Sequence, residues 1–249
     1  MRESRTVLIT GAAGAIGTAT TTAFLRRGLA VLGVDRQSAP QREASDRYVH
    51  VVAELTDLQG LGAIDEALSR MPPLAHLIGI AGGALPDEPA TQHDLEAVRP
   101  ELFRASLEAN LTSQFLALQT AMPRLRAQQG ENRSITLTSS FNALSAQGMP
   151  AYSAAKAGLV GLMHGSVHPL GALGIRINVV APGTVRTPRT ERLWAADPSH
   201  FTRLEAGTAL GRLAVPEDVA AVFIALSLDF LHVTGQVLTV DGGQTVIHR

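Results

Sequence analysis

The chain has 249 residues, of which 45% are hydrophobic and 17% are charged, and its formal net charge is −1. This balance gives no electrostatic case for binding nucleic acid or an anionic membrane, and the absence of cysteine excludes disulfides, thiolate catalysis and cysteine–metal sites. We expect one globular domain in the cytoplasm, because the N-terminal residues show no signal-peptide pattern and no apolar run approaches the length of about 18 residues that a membrane span needs.

The first predicted element is a strand that leads directly into a glycine-rich turn and a helix. Residues 6–17 read TVLITGAAGAIG, in which a β-branched apolar run precedes Gly11, Gly14 and Gly17. The following TATTTAFLRRG has apolar residues at helical spacing and ends in Gly28. Glycines let a pyrophosphate approach the backbone, and a helix N-terminus offers unpaired N–H groups to phosphates. This order favours a dinucleotide site over a simple packing turn.

The second predicted strand, LAVLGVD, ends in Asp35. An acidic residue about 20 residues beyond the glycine turn can accept hydrogen bonds from an adenosine ribose, and it repels a 2′-phosphate. The neighbouring Arg36 is a counter-indication, because an arginine can pair with that phosphate. We therefore predict NAD as the cofactor, with NADP as the less favoured alternative.

Short apolar strands alternate with helical segments along the whole chain. This alternation predicts an α/β fold in which a single Rossmann-type, doubly wound parallel sheet of about seven strands carries helices on both faces. Residues 1–249 then form one catalytic domain. Two segments, 84–101 and 187–212, interrupt the alternation after strand ends, and we predict that 187–212, which holds the only tryptophan, is a substrate lid. The predicted strands are 6–10, 30–34, 48–52, 75–80, 134–139, 175–180 and 237–240.

Tyr152 and Lys156, in the stretch PAYSAAKAG, are four residues apart and so share one face of a helix. An ammonium group beside a phenol stabilises the phenolate and lowers the pKa of the tyrosine from about 10. A tyrosine tuned in this way can transfer a proton near neutral pH. The pair alone is weak evidence, but it occurs in a chain with a predicted dinucleotide site.

Together these motifs resemble the classical short-chain dehydrogenase/reductase family, over nearly the whole chain. Further matches are Asn110 in LEANLTSQF, Pro182-Gly183, the segment GRLAVPEDVA and the terminal TGQ…VDGG. The resemblance implies a catalytic set of Asn110, Ser140 or Ser139, Tyr152 and Lys156. It assigns the cofactor site to Gly11, Ala13, Gly14, Ala15, Ile16, Gly17, Asp35, Arg36, Leu55, Ala81, Gly82, Tyr152, Lys156, Pro182, Gly183, Val185 and Thr187.

The sequence departs from the family pattern in two places. The family usually has N-N-A-G after its fourth strand, whereas this chain has Gly79-Ile80-Ala81-Gly82, so both asparagines are missing. The catalytic serine is also ambiguous: alignment of the strand SITLTSS selects Ser140, whereas the family's commonest serine–tyrosine spacing selects Ser139. We favour Ser140 and keep Ser139 as the alternative.

The resemblance implies hydride transfer between a nicotinamide cofactor and a secondary alcohol or ketone, with Tyr152 exchanging the proton on the substrate oxygen. Lys156 would hold the phenolate and contact the nicotinamide ribose, Ser140 would hold the substrate oxygen, and Asn110 would keep a water in a proton relay to Lys156. Two other functions remain open: a catalytically silent dinucleotide-binding regulator, and an epimerase or dehydratase of the family's extended branch.

The substrate itself is less defined by the sequence. Arg189, Arg192 and Arg203 of the predicted lid could clamp an anionic substrate, whereas a ring-bearing, moderately hydrophobic alcohol would suit an apolar pocket lined by Phe141, Leu144, Met149 and Trp194. We predict no metal site, because the helically spaced His164 and His168 have no carboxylate near them in sequence. Family habit suggests a homotetramer, or a homodimer, built through the helices around 105–125 and 152–170 and the apolar segment 219–228.

Overall fold

Seven strands form one sheet in the order β3-β2-β1-β4-β5-β6-β7, and every neighbouring pair is parallel. The predicted doubly wound fold is thus confirmed. The strand bounds agree with the sequence prediction to within two residues, and β6 continues into Pro182. The strands are β1 (Thr6–Thr10), β2 (Ala30–Asp35), β3 (Tyr48–Val52), β4 (Leu74–Gly79), β5 (Arg133–Thr138), β6 (Ile175–Pro182) and β7 (Val237–Val240).

The computed structural model describes residues 5–39, 45–92, 94–128, 132–146, 148–195, 197 and 199–246. Residues 1–4 of the predicted N-terminal stretch, His93 of the first irregular segment, and Ala196 and Pro198 of the predicted lid lie outside the described residues. So does Gln147 of the loop before Tyr152.

Eight α-helices connect or flank the strands within the described residues. They are α1 (Ala15–Arg26), α2 (Leu58–Ser69), α3 (Pro100–Leu107), α4 (Ser113–Ala127), α5 (Pro150–Gly171), α6 (Pro188–Leu193), α7 (Ser199–Ala206) and α8 (Pro216–Ile224). A π-helical turn (Glu108–Thr112) joins α3 to α4, so the predicted helix around 105–125 is interrupted at Asn110. None of the helices in the described ranges combines the length and apolar character that crossing a bilayer requires.

The helices cover both faces of the sheet and enclose two cores. On one face, buried leucines and alanines of α2, α4 and α5 pack against the strands, as Leu68, Ala121 and Leu159 illustrate. On the other face, Phe24 of α1 and Phe223 of α8 are fully buried. Within the apolar segment 219–228, Val219, Phe223 and Leu226 are fully buried in this core.

The sheet order reverses direction at β1, which has β2 on one side and β4 on the other. β2 and β3 follow β1 on one side of the sheet, and β4 to β7 are added on the other side of β1. In open parallel sheets this switch point leaves a crevice at the carboxyl ends of the strands. Thr10 pairs with Val34 and with Gly79, so the ends of the three strands lie side by side.

Candidate active site

The glycine-rich turn follows the carboxyl end of β1 and leads into the N-terminus of α1. Gly11 has a φ of +71°, and a Cβ added to it would lie 2.7 Å from the backbone nitrogen of Ala81, so only glycine fits between the two strand ends. The cap residue of α1, Gly14, places no side chain on the first-turn N–H groups. This arrangement leaves the amides of a helix N-terminus available to an anion such as a pyrophosphate.

Asp35 lies at the end of β2, beside the glycine-rich turn. One carboxylate oxygen accepts a hydrogen bond from the Ala13 backbone nitrogen at 3.0 Å, and the other accepts from the Gln37 nitrogen at 3.0 Å. Arg36 extends into solvent and reaches Glu54 at 3.7 Å. The negative charge is therefore held at the turn, and the nearby arginine is paired with a second carboxylate.

The segment after β4 lacks the two family asparagines but is tied down by other groups. The Thr10 hydroxyl accepts hydrogen bonds from the backbone nitrogens of Ile80 and Ala81, at 3.1 and 3.2 Å. Gln114 of α4 donates its amide to the Ala81 carbonyl at 2.6 Å. The Ala-Gly half of the motif is thus fixed from a strand and from a helix.

Asn110 lies in the π-helical turn and is fully buried. Its Oδ1 accepts a hydrogen bond from the Gly83 nitrogen at 2.7 Å, and its Nδ2 donates to the carbonyls of Gly83 and Ser106 at 3.2 and 3.1 Å. The side-chain amide therefore fixes the backbone just beyond Gly82, and its donors and acceptor are occupied by main-chain groups.

The two candidate serines follow β5 and have different partners. The Ser139 hydroxyl donates to the Lys156 carbonyl at 2.7 Å and so ties the strand end to α5. The Ser140 hydroxyl lies within hydrogen-bonding reach of the Tyr152 phenol and also accepts from the Asn142 nitrogen at 3.2 Å. Only Ser140 therefore presents its hydroxyl to the tyrosine.

Tyr152 and Lys156 lie on one face of α5, with the Lys156 Nζ 5.7 Å from the centre of the phenol ring. Nζ donates to the Thr138 carbonyl at 2.9 Å. Burial lowers the pKa of Lys156 to about 8, opposed by the negative charge of Glu88. The ammonium form at neutral pH is therefore held by one main-chain acceptor in an enclosed site.

The sequence prediction of a lowered tyrosine pKa is wrong for this structure. Burial raises the pKa of Tyr152 above its ordinary value, and Glu88 adds to the increase, whereas the hydrogen bond with Ser140 and the positive charge of Arg189 oppose it. Burial dominates because removing the phenol from water penalises the charged form. The surroundings of Tyr152 in this structure therefore disfavour the phenolate.

The segment after β6 carries the remaining predicted cofactor residues. Gly183 donates its backbone N–H to the Val240 carbonyl at 3.0 Å, and Val185 is buried and bridges to Ala214. The Thr187 side chain caps α6 by accepting from the Thr190 nitrogen at 3.2 Å. This segment therefore leads from the strand end directly into the predicted lid.

Helices α6 and α7 form the described part of the predicted lid. The Trp194 ring stacks on His200 at 4.4 Å and meets Phe201 edge-on at 5.4 Å, so the two helices are joined by an aromatic contact. From α6, Arg189 donates a hydrogen bond to the Ala84 carbonyl, across from the segment that follows β4. Trp194 therefore packs between the two helices of the predicted lid, and Arg189 connects α6 to the segment after β4.

The polar groups and the close glycine turn around the crevice fit a dinucleotide. The uncapped helix start, the close glycine turn and the Asp35 carboxylate are all at the carboxyl ends of β1 and β2, while the enclosed Lys156 ammonium lies beyond β5. Such an arrangement suits a pyrophosphate at the helix start, a ribose at the carboxylate and a nicotinamide ribose near the ammonium.

Comparisons with known proteins decide the family. A sequence model for the family described as Enoyl-(Acyl carrier protein) reductase matches residues 11–245. A crystal structure of an oxidoreductase of the short chain dehydrogenase/reductase family from Burkholderia thailandensis is 36% identical, with a TM-score of 0.86 over 99% of this chain and 94% of that one. The chain belongs to the classical short-chain dehydrogenase/reductase family.

Two further members of the family bear on activity and cofactor. The cis-4-hydroxycyclohexanecarboxylate dehydrogenase of Sinomonas cyclohexanicum is 34% identical, and the match covers 98% of this chain and 97% of that protein. A short chain dehydrogenase from Leptospira borgpetersenii, solved with bound NAD+, is 26% identical with a TM-score of 0.82, over 98% of this chain and 94% of that one. This short-chain dehydrogenase/reductase is thus an oxidoreductase by family.

Two polar residues of the site are not evident from the sequence. Gln114 fixes the Ala81 carbonyl, and Glu88 is a fully buried carboxylate whose charge acts on both Tyr152 and Lys156. Neither occurs in a recognisable motif. The only available signal was an acidic residue in segment 84–101, which is common in exposed loops.

Proposed function

We propose that this protein transfers a hydride between NAD and a secondary alcohol or ketone carried on a ring. The observation that carries the proposal is the cluster at the end of β5, in which the Ser140 hydroxyl lies within reach of the Tyr152 phenol and Lys156 lies one helical turn further along α5. The ring-borne substrate is supported by the activity in the name of the Sinomonas relative.

The reaction divides between the cofactor and the side chains. A bound nicotinamide supplies the hydride acceptor or donor. Tyr152 donates the proton from its phenol to a carbonyl oxygen in reduction, or accepts it from the alcohol in oxidation. Ser140 donates a hydrogen bond to the same oxygen and so stabilises negative charge there. The Lys156 ammonium stabilises the phenolate that forms when Tyr152 gives up its proton.

The proton path beyond Tyr152 is part of the proposal. Lys156 has one main-chain acceptor in the described structure, so its remaining N–H groups are free to contact a nicotinamide ribose. Asn110 would hold a water beside this lysine. Its side-chain amide is already bonded to Gly83 and Ser106, so the relay would use main-chain atoms of the π-helical turn.

The raised pKa of Tyr152 bears on the direction of the reaction. A neutral phenol is ready to protonate a carbonyl oxygen, whereas alcohol oxidation requires the deprotonated form. We therefore expect reduction to be fastest at neutral pH and oxidation to accelerate as the pH rises.

Substitution of Tyr152 by phenylalanine tests the proposed function. We expect Tyr152→Phe to lose turnover by roughly 10²–10⁴-fold, the usual contribution of a proton-transfer group, while NADH binding, followed by its fluorescence, stays within a few-fold of wild type. Tyr48→Phe is the matched control, because Tyr48 is the only other tyrosine and bonds to His50 on the edge strand. If Tyr152→Phe keeps more than a tenth of the wild-type rate, Tyr152 is not the acid/base.

We also propose that the enzyme acts in the cytoplasm as a homotetramer or homodimer built through α4 and α5. Support comes from large apolar side chains left partly exposed on α3 and α4, with Phe103 at 38% and Phe115 at 41%. Elution at the mass of a 26.2 kDa monomer in size-exclusion chromatography would contradict this assembly.

A further inference from the structure

Glu88 is a buried carboxylate, and one of its two oxygens finds no donor among the residues that the structure describes. The residue begins a short 3-10 helix (Glu88–Thr91) in the segment after β4 and has no exposed surface. Its Oε2 accepts a hydrogen bond from the Leu85 nitrogen at 2.5 Å. Its Oε1 has no hydrogen-bond partner within the described residues. The hydrogen bond that closes the loop between Leu85 and Glu88 uses only Oε2, so this loop gives no structural reason for burying Oε1. A buried acceptor without a donor is costly, and such groups often have a role in a site.

The surroundings of Glu88 place it at the catalytic cluster. Its negative charge raises the pKa of both Tyr152 and Lys156. A Cβ added to Gly148, just before α5, would overlap the Gln92 carbonyl oxygen, so the end of the 3-10 helix lies against the start of the helix that carries Tyr152. The 3-10 helix packs against α5, the helix that carries both residues. Arg189 of the lid bonds to the Ala84 carbonyl, within the same segment as Glu88.

The chemistry of the missing donor follows from these charges. A carboxylate only accepts hydrogen bonds, so its partner must carry an O–H or N–H group. Lys156 and Arg189 already bring two positive charges to this part of the site, and a cationic substrate would add a third. A neutral hydroxyl satisfies Oε1 without that repulsion.

We propose that Glu88 is a specificity-determining residue whose Oε1 accepts a hydrogen bond from a second hydroxyl of the substrate, next to the carbinol at Tyr152. The enzyme then prefers vicinal diols and polyhydroxylated rings to simple alcohols. This inference rests on the proposed function. Oε1 is shielded from solvent, so the hydroxyl reaches it only when the segment after β4 moves.

A pair of matched substrates tests the assignment. Cyclohexanol and cis-1,2-cyclohexanediol differ by the one hydroxyl that Glu88 would bind. We expect wild type to oxidise the diol with a kcat/KM at least about 10-fold higher, and Glu88→Gln to lose about 10–100-fold for the diol but under about 3-fold for cyclohexanol, as expected for one hydrogen bond to a charged group. The glutamine keeps an oxygen for the Leu85 nitrogen and places an NH₂ group, which cannot accept, where Oε1 was.

A control variant and two contrary outcomes distinguish substrate recognition by Glu88 from a purely structural role of this residue. Glu101→Gln, at an exposed glutamate of α3, should leave both substrates unchanged. Equal losses for both substrates in Glu88→Gln would assign Glu88 a structural role and overturn the proposal. A wild-type enzyme that does not prefer the diol would also overturn it, without the need for any variant.

A binding measurement keeps this inference separate from the proposed reaction. With NADH bound, an alcohol binds without turnover, so calorimetric titration with each alcohol reports recognition alone. Tighter binding of the diol that disappears in Glu88→Gln supports the role of Glu88 even if no hydride is transferred. Absence of turnover with both alcohols, and with cyclohexanone and NADH, would contradict the proposed function. Equal binding of the two alcohols would contradict the role of Glu88.

Discussion

The side chain of Gln114 fills the space in which a side chain at residue 79 would lie. A Cβ added to Gly79 would overlap the Gln114 Oε1, and the amide nitrogen of the same glutamine donates to the Ala81 carbonyl at 2.6 Å. The family usually carries an asparagine in the position of Gly79. In this chain the end of β4 has no asparagine, and Gln114 of α4 supplies the side-chain amide instead. The Gln114 side chain fits only because residue 79 is glycine.

This dependence predicts that Gly79→Ala is destabilising. The new methyl group must displace the Gln114 amide and break its bond to Ala81, which we expect to cost about 1–3 kcal/mol in the free energy of unfolding, as overpacking usually does. Urea denaturation measures the loss. The double variant Gly79→Ala/Gln114→Ala should lose less than the sum of the single variants, because the clash is then absent.

Gly62→Ala is the matched control for this substitution. A Cβ at Gly62 of α2 meets no atom within 4 Å, so alanine should be neutral or stabilising by up to about 1 kcal/mol. If Gly79→Ala is as harmless as Gly62→Ala, Gln114 moves aside freely and the proposed dependence is wrong.

The parts of the molecule that follow from local patterns could be predicted from the sequence. Seven apolar runs separated by helical segments were enough for the sheet, and Gly11 marks its turn because the close approach to Ala81 permits no side chain. Gln114 and Glu88 could not be predicted, since their roles arise from contacts with Ala81 and with the Tyr152 cluster that only the fold creates. The prediction of a lowered pKa for Tyr152 was wrong for the same reason. The spacing of the two residues identifies a neighbouring cation, but it does not show that the phenol is removed from water.

The two serines should respond differently to alanine. Ser140→Ala removes the hydroxyl at Tyr152, and we expect turnover to fall about 10²–10³-fold, as for other oxyanion donors, with little change in stability. Ser139→Ala removes the bond to the Lys156 carbonyl, and we expect a loss of about 1 kcal/mol in unfolding free energy with turnover reduced far less. Steady-state kinetics and urea denaturation of both variants check this. The reverse pattern would make Ser139 the catalytic serine.

Replacing Asp35 should relax the choice of cofactor. We expect Asp35→Ala to weaken NAD binding and to strengthen NADP binding by about 10-fold or more, because a negative charge near the 2′-phosphate is removed and Arg36 remains. Titration calorimetry with both cofactors measures the change, and Asp46→Ala, at an exposed position before β3, is the control. Wild-type preference for NADP would mean that Arg36 outweighs Asp35.

Lys156 should make stability depend on pH in a defined direction. Its pKa is lowered from 10.5 to about 8 by burial. Between these values the unfolded chain holds a proton that the folded chain has released, so stability rises as the pH increases from about 8 towards 10.5. Below pH 8 the folded protein bears the cost of a buried ammonium, at most roughly 3–4 kcal/mol at 1.36 kcal/mol per pKa unit. We therefore expect Lys156→Met to be more stable than wild type at pH 7, by about 1–3 kcal/mol, with the difference shrinking by pH 10.

The pKa itself can be measured directly, because Lys156 is the only lysine in the chain. Protein grown on isotopically labelled lysine gives a single side-chain NMR signal, whose titration in the absence of cofactor should have its midpoint near pH 8. Urea denaturation of wild type and Lys156→Met at pH 7 and pH 9.5 then supplies the stability difference at each pH. A midpoint above pH 10, or a difference that grows as the pH rises, would show that Nζ reaches solvent and that burial does not control its charge.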